Sequence, residues 1–149
     1  MGVASFDIPV LDPRTDDILQ ADGLLFGIPS RFGSLPAQVK GFIDGLGGHW
    51  GKGALIGKPA GVFSSTGQQH GGFETIAISA AISFSHLGMP FVPLGYSHPL
   101  LFDATEIIGA SQYGAGTIAG DGSRQPSEKE ITLAQHHGEH FAKFIARLN

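Results

Sequence analysis

The stretch that decides the fold is GLLFGIPSRFG, residues 23–33, in which a short apolar run ends at Pro29 and passes directly into a polar loop. Such a run is typical of a strand buried on both faces of a sheet, so we predict a strand over Gly23–Ile28. The following loop, Pro29–Gly33, then lies at the carboxyl end of the strand. Ligands of parallel sheets bind at this edge.

The same order of strand, loop and helix continues along the chain. Ala60–Phe63 reads as a second buried strand, and Pro90–Tyr96 is a third strand candidate, although its two prolines lack the N–H that a central strand needs. Helices with one apolar face follow the first two strands. Their apolar stripes are Leu35, Val39, Phe42, Ile43 and Leu46, and then Phe73, Ile76, Ala77, Ala80, Phe84 and Leu87. This alternation predicts an α/β domain with a parallel sheet.

The remaining segments flank this core. Residues 7–14 read as a loop that leads into a short helix over residues 15–20, and residues 97–126 form a loop too long to be a simple connector. A terminal helix begins at Ser127, where Glu130 completes a capping box. Its predicted apolar face is Ile131, Ala134, Gly138, Phe141, Ile145 and Leu148.

Composition limits the function. A chain of 149 residues with 42% hydrophobic content forms one domain. A net charge of −4, with nine Lys and Arg and no basic stripe, argues against nucleic acid and anionic membranes as partners. Because Cys is absent, redox chemistry has to come from a cofactor. No leader or spanning segment is evident, so we expect a cytoplasmic protein without integral membrane contact.

Two loops carry the candidate chemistry. In the first, Arg31 and Phe32 place a planar cation beside an aromatic ring, which suits a planar anionic ring system, while an ordinary polar surface loop is the alternative. In the second, Ser64–Gly72, hydroxyls, amides and glycines precede a helix N-terminus and can present N–H groups to a phosphate or a heterocycle. Taken alone, this loop is equally consistent with a flexible surface turn.

Other candidates are weaker. Trp50 lies in a glycine-rich segment, where it either stacks on a ligand or subunit or packs over a local apolar patch. His86, near the end of the second helix, is a catalytic candidate, although a lone histidine there is more often structural. His136, His137 and His140 include a pair with metal-ligand spacing, but no third ligand accompanies them, so we expect exposed side chains and no metal.

Several segments together resemble the WrbA-type NAD(P)H:quinone oxidoreductases, which are flavodoxin-like enzymes that use FMN. The matching segments are FGIPSRFG (26–33), HWGKGALIGKP (49–59), residues 63–75, HLGM (86–89), VPLGY (92–96) and YGAGTIAGDGSRQPS (113–127). The likeness extends from about Asp12 to the C-terminus. It implies a flavodoxin-like doubly wound parallel sheet with helices on both faces, in a single domain over residues 1–149.

The resemblance also implies a site. Cofactor-binding positions would be Ser30, Arg31 and Phe32 along the isoalloxazine, Ser65, Thr66, Gly67, Gln68, Gln69 and His70 at its polar edge, and His86 supplied from another subunit. Arg31 and His86 would stabilise the reduced anionic flavin as catalytic residues. Trp50 would cover the pocket in which nicotinamide and quinone bind in turn, with Tyr96 as a further wall. The implied assembly is a homotetramer.

The implied reaction is a ping-pong reduction of quinones to hydroquinones, in which NADH or NADPH passes hydride to FMN and the quinone takes two electrons from it. The chain departs from the family at Phe73, usually Gln, and at Leu87, often a second His. The family's first strand, phosphate loop, first helix and second strand have no counterpart. We therefore expect an N-terminally truncated, incomplete domain that alone binds FMN weakly or not at all and leaves the edge of its first strand unpaired.

Two other functional classes stay open. One is a non-catalytic truncated paralogue that acts as a partner-binding or assembly subunit. The other is an electron-transfer flavodoxin, which is less favoured because Trp50 and the long loop over residues 97–126 suit a substrate pocket and subunit contacts.

Overall fold

The computed structural model describes residues 17–148. Nine elements follow one another: α1 (Asp17–Gln20), β1 (Leu24–Pro29), α2 (Ala37–Gly45), α3 (Gly47–Trp50), β2 (Ala60–Thr66), α4 (Phe73–His86), a 3₁₀ turn (Pro99–Phe102), β3 (Gly116–Ile118) and α5 (Glu128–Ile145). The predicted loop over residues 7–14 lies outside the described residues, as do the first two residues of the predicted helix over 15–20.

The described strands form one parallel sheet in the order β1-β2-β3. Leu24 pairs with Ala60, and Ser64 pairs with Gly116. Because all three strands run in the same direction, their carboxyl ends meet at one edge. The parallel sheet expected from the alternation of strands and helices is confirmed.

Helices cover both faces of this sheet. On one face, the ring of Phe26 lies 6.3 Å from that of Phe42 in α2 and 4.9 Å from that of Phe84 in α4. On the other face lies α5, since a Cβ atom on Gly61 would be 3.4 Å from the ring of Phe141. The apolar stripes predicted for α2 and α4 both point into the core. Helix α5 also covers Gly23, because a Cβ atom added there would lie 3.2 Å from the ring of Phe141.

The strand predicted over Gly23–Ile28 is confirmed as β1, but the prediction that it is buried on both faces is wrong for the described residues. In β1 only Ile28 is fully buried, and Leu25 is 36% exposed. The reason is positional, because β1 pairs with β2 on one side and has no second neighbour among residues 17–148. The strand over Ala60–Phe63 is confirmed and extends to Thr66.

The third predicted strand is also wrong. In the segment Pro90–Tyr96, Phe91 forms one isolated bridge with Ala60, and the segment does not continue as a strand. Pro90 and Pro93 have no N–H to donate to a ladder. The third strand is instead β3, which lies inside the predicted long loop together with the 3₁₀ turn.

The terminal helix begins as predicted. Ser127 caps α5, and both hydrogen bonds of the capping box with Glu130 are present. The buried face differs from the predicted one, because Ile131 is 46% exposed and the inward residues are Glu130, Leu133, His137 and Phe141. Relative to the predicted orientation, α5 is rotated about its axis, so that the Glu130 carboxylate accepts a hydrogen bond from the backbone of β3.

Candidate functional site

Two loops face each other at the carboxyl edge of the sheet. One follows β1, the other follows β2, and between them lies a cleft of about 580 Å³. Its lining residues are Ser30, Phe32, Gly33, Gly67, Gln68, His70, Gly71, Gly72 and Thr75. The sequence predicted that these two loops would meet, and the structure brings them together.

Ser30 connects the two loops. Its backbone N–H donates to the carbonyl of Ser65 at 2.8 Å, and its hydroxyl donates to the carbonyl of Gly71. The same hydroxyl oxygen accepts from the N–H of Gly33 at 3.3 Å. One side chain therefore fixes the separation of the cleft walls.

The floor of the cleft is backbone. A Cβ atom on Gly71 would lie 2.5 Å from the Cβ of Thr66, and one on Gly67 would lie 3.2 Å from the carbonyl oxygen of Gly120. Gly71 has no room for a Cβ atom and Gly67 has little, and both line the cleft without a side chain, so peptide groups form its surface there. Such a surface suits a flat polar ligand.

Phe32 is the most unusual residue of the cleft. Its φ is +53°, and it is the one non-glycine residue with positive φ among residues 17–148. Its side chain is fully exposed at 108% of its reference area. Reciprocal backbone hydrogen bonds between Arg31 and Ser34, at 3.1 and 3.0 Å, hold this turn. A bulky residue in this conformation costs energy and packs against nothing, which is typical of a functional position.

The remaining loop residues divide by role. Arg31 is exposed, and its guanidinium donates to the carbonyl of Ser30 at 2.8 Å. Thr66 is buried, and its hydroxyl donates to the carbonyl of Gln68 at 2.7 Å, so it shapes the loop from behind. Ser65 contributes the carbonyl that Ser30 binds.

Gln69 points away from the cleft. Whereas Gln68 and His70 line it, Gln69 lines a neighbouring cavity of about 420 Å³ together with Tyr96. The ring of Tyr96 lies 5.0 Å from that of Phe102. Successive residues of the second loop thus face two different cavities.

Trp50 and His86 lie elsewhere. They line a third cavity of about 450 Å³, which shares no lining residue with the cleft. The helix α4 begins at the cleft and ends at His86, so its length separates them by about 20 Å within one chain. Trp50 is 61% exposed and belongs to the short helix α3, not to a loop as predicted.

The three histidines of α5 are not all exposed, so that prediction is corrected. His137 is buried at 2% exposure because it lies on the inward face of α5, where its Nδ1 accepts from the N–H of Ala115 at 3.2 Å. Burial lowers the pKa of His137 to about 4. Burial, followed by the neighbouring His98 and His140, lowers the pKa of His136. Within the described residues, no group of three or more potential ligands is arranged to hold a metal ion.

Thr75 was missed by sequence reasoning. Its hydroxyl donates to the carbonyl of Gly33 at 2.7 Å and lies 3.2 Å from the carbonyl of Gly72, so it bonds to both loops. The signal available in the sequence was a threonine in the first turn of the helix that follows the second loop.

The chain matches known proteins over most of its length. A family model described as NADPH-dependent FMN reductase matches residues 9–98, which include both loops of the cleft. "Quinone-oxidoreductase QR2" of Triphysaria versicolor is 51% identical over 144 residues, which are 95% of this chain and 69% of the relative. "NAD(P)H quinone oxidoreductase PST2" of Candida albicans is 50% identical over 142 residues, 95% of this chain and 70% of the relative.

A solved structure shows the same architecture. The flavodoxin-like, "WrbA-like protein" from Agrobacterium tumefaciens superimposes with a TM-score of 0.68 at 18% identity, covering 87% of this chain and 69% of that one. The flavodoxin-like α/β fold expected from the sequence is thereby confirmed. Across residues 17–148, the helices are each too short or too polar to cross a bilayer.

Proposed function

This chain belongs to the NADPH-dependent FMN reductase family, and on that premise we propose that it reduces quinones to hydroquinones with NADH or NADPH, using FMN held in the cleft between the two loops. The observation that carries the proposal is the cleft itself. Two loops from neighbouring parallel strands present backbone on one side and the strained, exposed ring of Phe32 on the other.

The residues of the cleft fit an isoalloxazine ring. Gly67 and Gly71 line the cleft without side chains, so a flat ring would meet peptide groups there. The polar edge of such a ring would meet the side chains of Gln68 and His70, which line the cleft. Phe32 offers an aromatic face that no other residue covers.

Bound FMN would supply the chemistry of accepting hydride from a nicotinamide and passing two electrons to a quinone. The chain's own residues position it. Ser30 fixes the spacing of the walls, and Phe32 limits the access of water to one face. Arg31 belongs to the first loop but does not line the cleft in this structure, where its guanidinium bonds the Ser30 carbonyl; turned towards a bound ring, this exposed side chain would favour negative charge on the reduced form. Arg31 is therefore proposed as a catalytic residue.

We further propose that the site is completed by other copies of the chain. The resemblance places His86 at the flavin and Trp50 over the pocket for nicotinamide and quinone, yet the cavity that both line lies about 20 Å along α4 from the cleft of their own chain. Both residues can serve the reaction if the cavity that they line faces the cleft of a neighbouring subunit. A homotetramer meets this requirement, with His86 as a catalytic residue and Trp50 as a substrate-binding residue. Tyr96 as a further wall and the cytoplasmic location stay predictions.

The test is a titration of FMN fluorescence with the purified chain, followed by assay of quinone reduction with NADH and NADPH. In keeping with the weak binding expected from the sequence, we expect weak but saturable quenching that needs excess FMN. Quenching should weaken further when Ser30 is replaced by Ala, and it should stay at the wild-type level in the control Ser85→Ala on the exposed face of α4. Absence of saturable binding by the wild-type chain would overturn the proposal. It would favour the alternative of a non-catalytic assembly subunit.

A further inference from the structure

The Glu130 carboxylate collects hydrogen bonds from four segments of the chain. It is buried, and it accepts from the N–H groups of Gly109 at 2.8 Å and Ile118 at 3.2 Å. It also accepts from the Thr117 hydroxyl at 3.0 Å and from the N–H of Ser127 at 2.8 Å. A buried carboxylate with so many donors is held in one position.

Arg124 completes this network. Its Nη1 atom lies 2.9 Å from one carboxylate oxygen of Glu130 and 3.1 Å from the other, and it donates to the carbonyl of Ile118 at 2.6 Å. Burial raises the pKa of Glu130, but the bonds from Arg124 and the backbone donors outweigh this and lower it overall. The carboxylate is thus charged and paired.

The network ends at the cleft. Arg124 closes the turn over residues 119–124, in which Ala119 donates its N–H to the carbonyl of Thr66 at 2.7 Å. The carbonyl of Gly120 lies against Gly67, where an added Cβ would be only 3.2 Å away. Gly67 lines the cleft, so the turn supports the cleft from behind.

We infer that Arg124 and Glu130 are positioning residues for the flavin-binding loop, acting through the turn over residues 119–124. Neither residue lines the cleft. That this loop binds flavin rests on the proposed function. That Arg124 and Glu130 set the position of residues 66–71 rests on the hydrogen bonds alone.

The test replaces Arg124 and measures the loop directly. Arg124 is 34% exposed, so Arg124→Met removes the bonds without opening the core, and Arg124→Lys keeps the charge. Lys143→Met is the matched control, because it breaks the exposed ion pair between Lys143 and Glu139 on α5, the helix that carries Glu130. Amide hydrogen exchange of the ligand-free chain is followed at Gly71 and Ala119, whose N–H groups bond within the loop and across to it.

We expect exchange at Gly71 and Ala119 to become about tenfold faster in Arg124→Met, with partial restoration in Arg124→Lys and no change in the control. Exchange in the middle of α4 should stay as in the wild type. The dissociation constant for FMN should rise about tenfold in parallel. Unchanged exchange at both amides, or an equal acceleration in α4, would overturn the inference.

The two proposals fail separately. If the wild-type chain binds no FMN, the proposed function fails, while the exchange of Gly71 and Ala119 still decides whether the pair positions the loop. If FMN binds and Arg124→Met leaves both its affinity and the loop exchange unchanged, only the positioning role fails.

Discussion

A Cβ atom on Gly72 would lie 2.7 Å from the Cα atom of Gly33, so the two loops of the cleft meet backbone against backbone. Gly72 has a φ of +104° and Gly33 a φ of +72°, both in the region that favours glycine. Both space and backbone conformation therefore restrict position 72 to glycine, whereas backbone conformation alone favours glycine at position 33, where an added Cβ would be 3.5 Å from its nearest neighbour, the Thr75 hydroxyl. The contact between Gly72 and Gly33 sets the closest approach of the cleft walls.

The first prediction is that Gly72→Ala separates the loops. The added methyl group collides with Gly33 and strains the backbone, so we expect a loss of about 2 kcal/mol in the free energy of unfolding and a large loss of FMN affinity. Urea unfolding and fluorescence titration measure the two effects. Gly41→Ala is the control, because nothing lies within 4 Å of its added Cβ and it is exposed within α2. Wild-type affinity in Gly72→Ala would show that the loops need not touch.

The second prediction concerns Ser30. In Ser30→Ala the hydroxyl that bonds Gly71 and Gly33 is lost, and the Gly71 carbonyl loses a partner. We expect FMN affinity to fall about fivefold to tenfold, with a loss of about 1 kcal/mol in the free energy of unfolding. Ser30→Thr keeps the hydroxyl and should retain most of the affinity. Equal affinities for Ala and Thr would contradict a role for the hydroxyl.

Sequence patterns predicted those elements whose signals are local. The stripes of α2 and α4 and the cap of α5 depend on residues a few positions apart, and all three were confirmed. The strand β3 was missed because Gly116–Ile118 is three residues long and gains its place from pairing with β2, which is distant in sequence. Local pattern does not encode such pairing.

The inward face of α5 was mispredicted for a similar reason. Glu130 and His137 are polar, and polar residues on a helix normally face solvent. Here their partners, Gly109 and Ala115, lie in a segment whose path the sequence did not indicate. The two loops of the cleft were predicted because strand ends alone place them. The position of His86 away from the cleft of its own chain agrees with the expectation that it comes from another subunit.

The third prediction is a pH dependence of stability. In the folded chain His137 stays neutral down to about pH 4, whereas the unfolded chain takes up that proton near pH 6.5. The unfolded state binds more protons in this window, so the free energy of unfolding rises with pH from about 4 to 6.5 and then levels off. The contribution is about 3 kcal/mol at most.

Urea unfolding at several pH values checks this contribution. His137→Gln should flatten the slope between pH 4.5 and 6.5 relative to the wild type, because it removes the buried imidazole whose pKa is lowered to about 4. His136, whose pKa is also lowered, adds to the slope in both proteins and cancels in the difference. An unchanged slope in His137→Gln would mean that this histidine is not the source.

The fourth prediction gives opposite signs for stability and binding at Phe32. Asn tolerates positive φ better than Phe, so Phe32→Asn should raise the free energy of unfolding by about 0.5 to 1 kcal/mol. The same change removes the exposed aromatic face and should weaken FMN binding about tenfold. Phe102→Asn, at an exposed aromatic with ordinary φ, should not be stabilising. If Phe32→Asn bound FMN as tightly as the wild type, the aromatic ring of Phe32 would not contribute to binding, and the prediction would be wrong.

The fifth prediction tests whether one site draws on two chains. Phe32→Asn damages the cleft, and His86→Ala damages the separate cavity about 20 Å away along α4. With FMN held well below its wild-type dissociation constant, Phe32→Asn alone should therefore keep about a tenth of the wild-type quinone reduction, and His86→Ala alone should be nearly inactive. In a composite site, refolding the two variants together pairs an intact cleft with an intact His86 in about one quarter of random pairings. Activity should then recover to about that fraction of the wild type, whereas mixing each variant with itself recovers nothing. Failure to recover in an assembly shown to be mixed, by native mass spectrometry of variants carrying tags of different mass, would place the whole site in one chain, and His86 would then act only on structure.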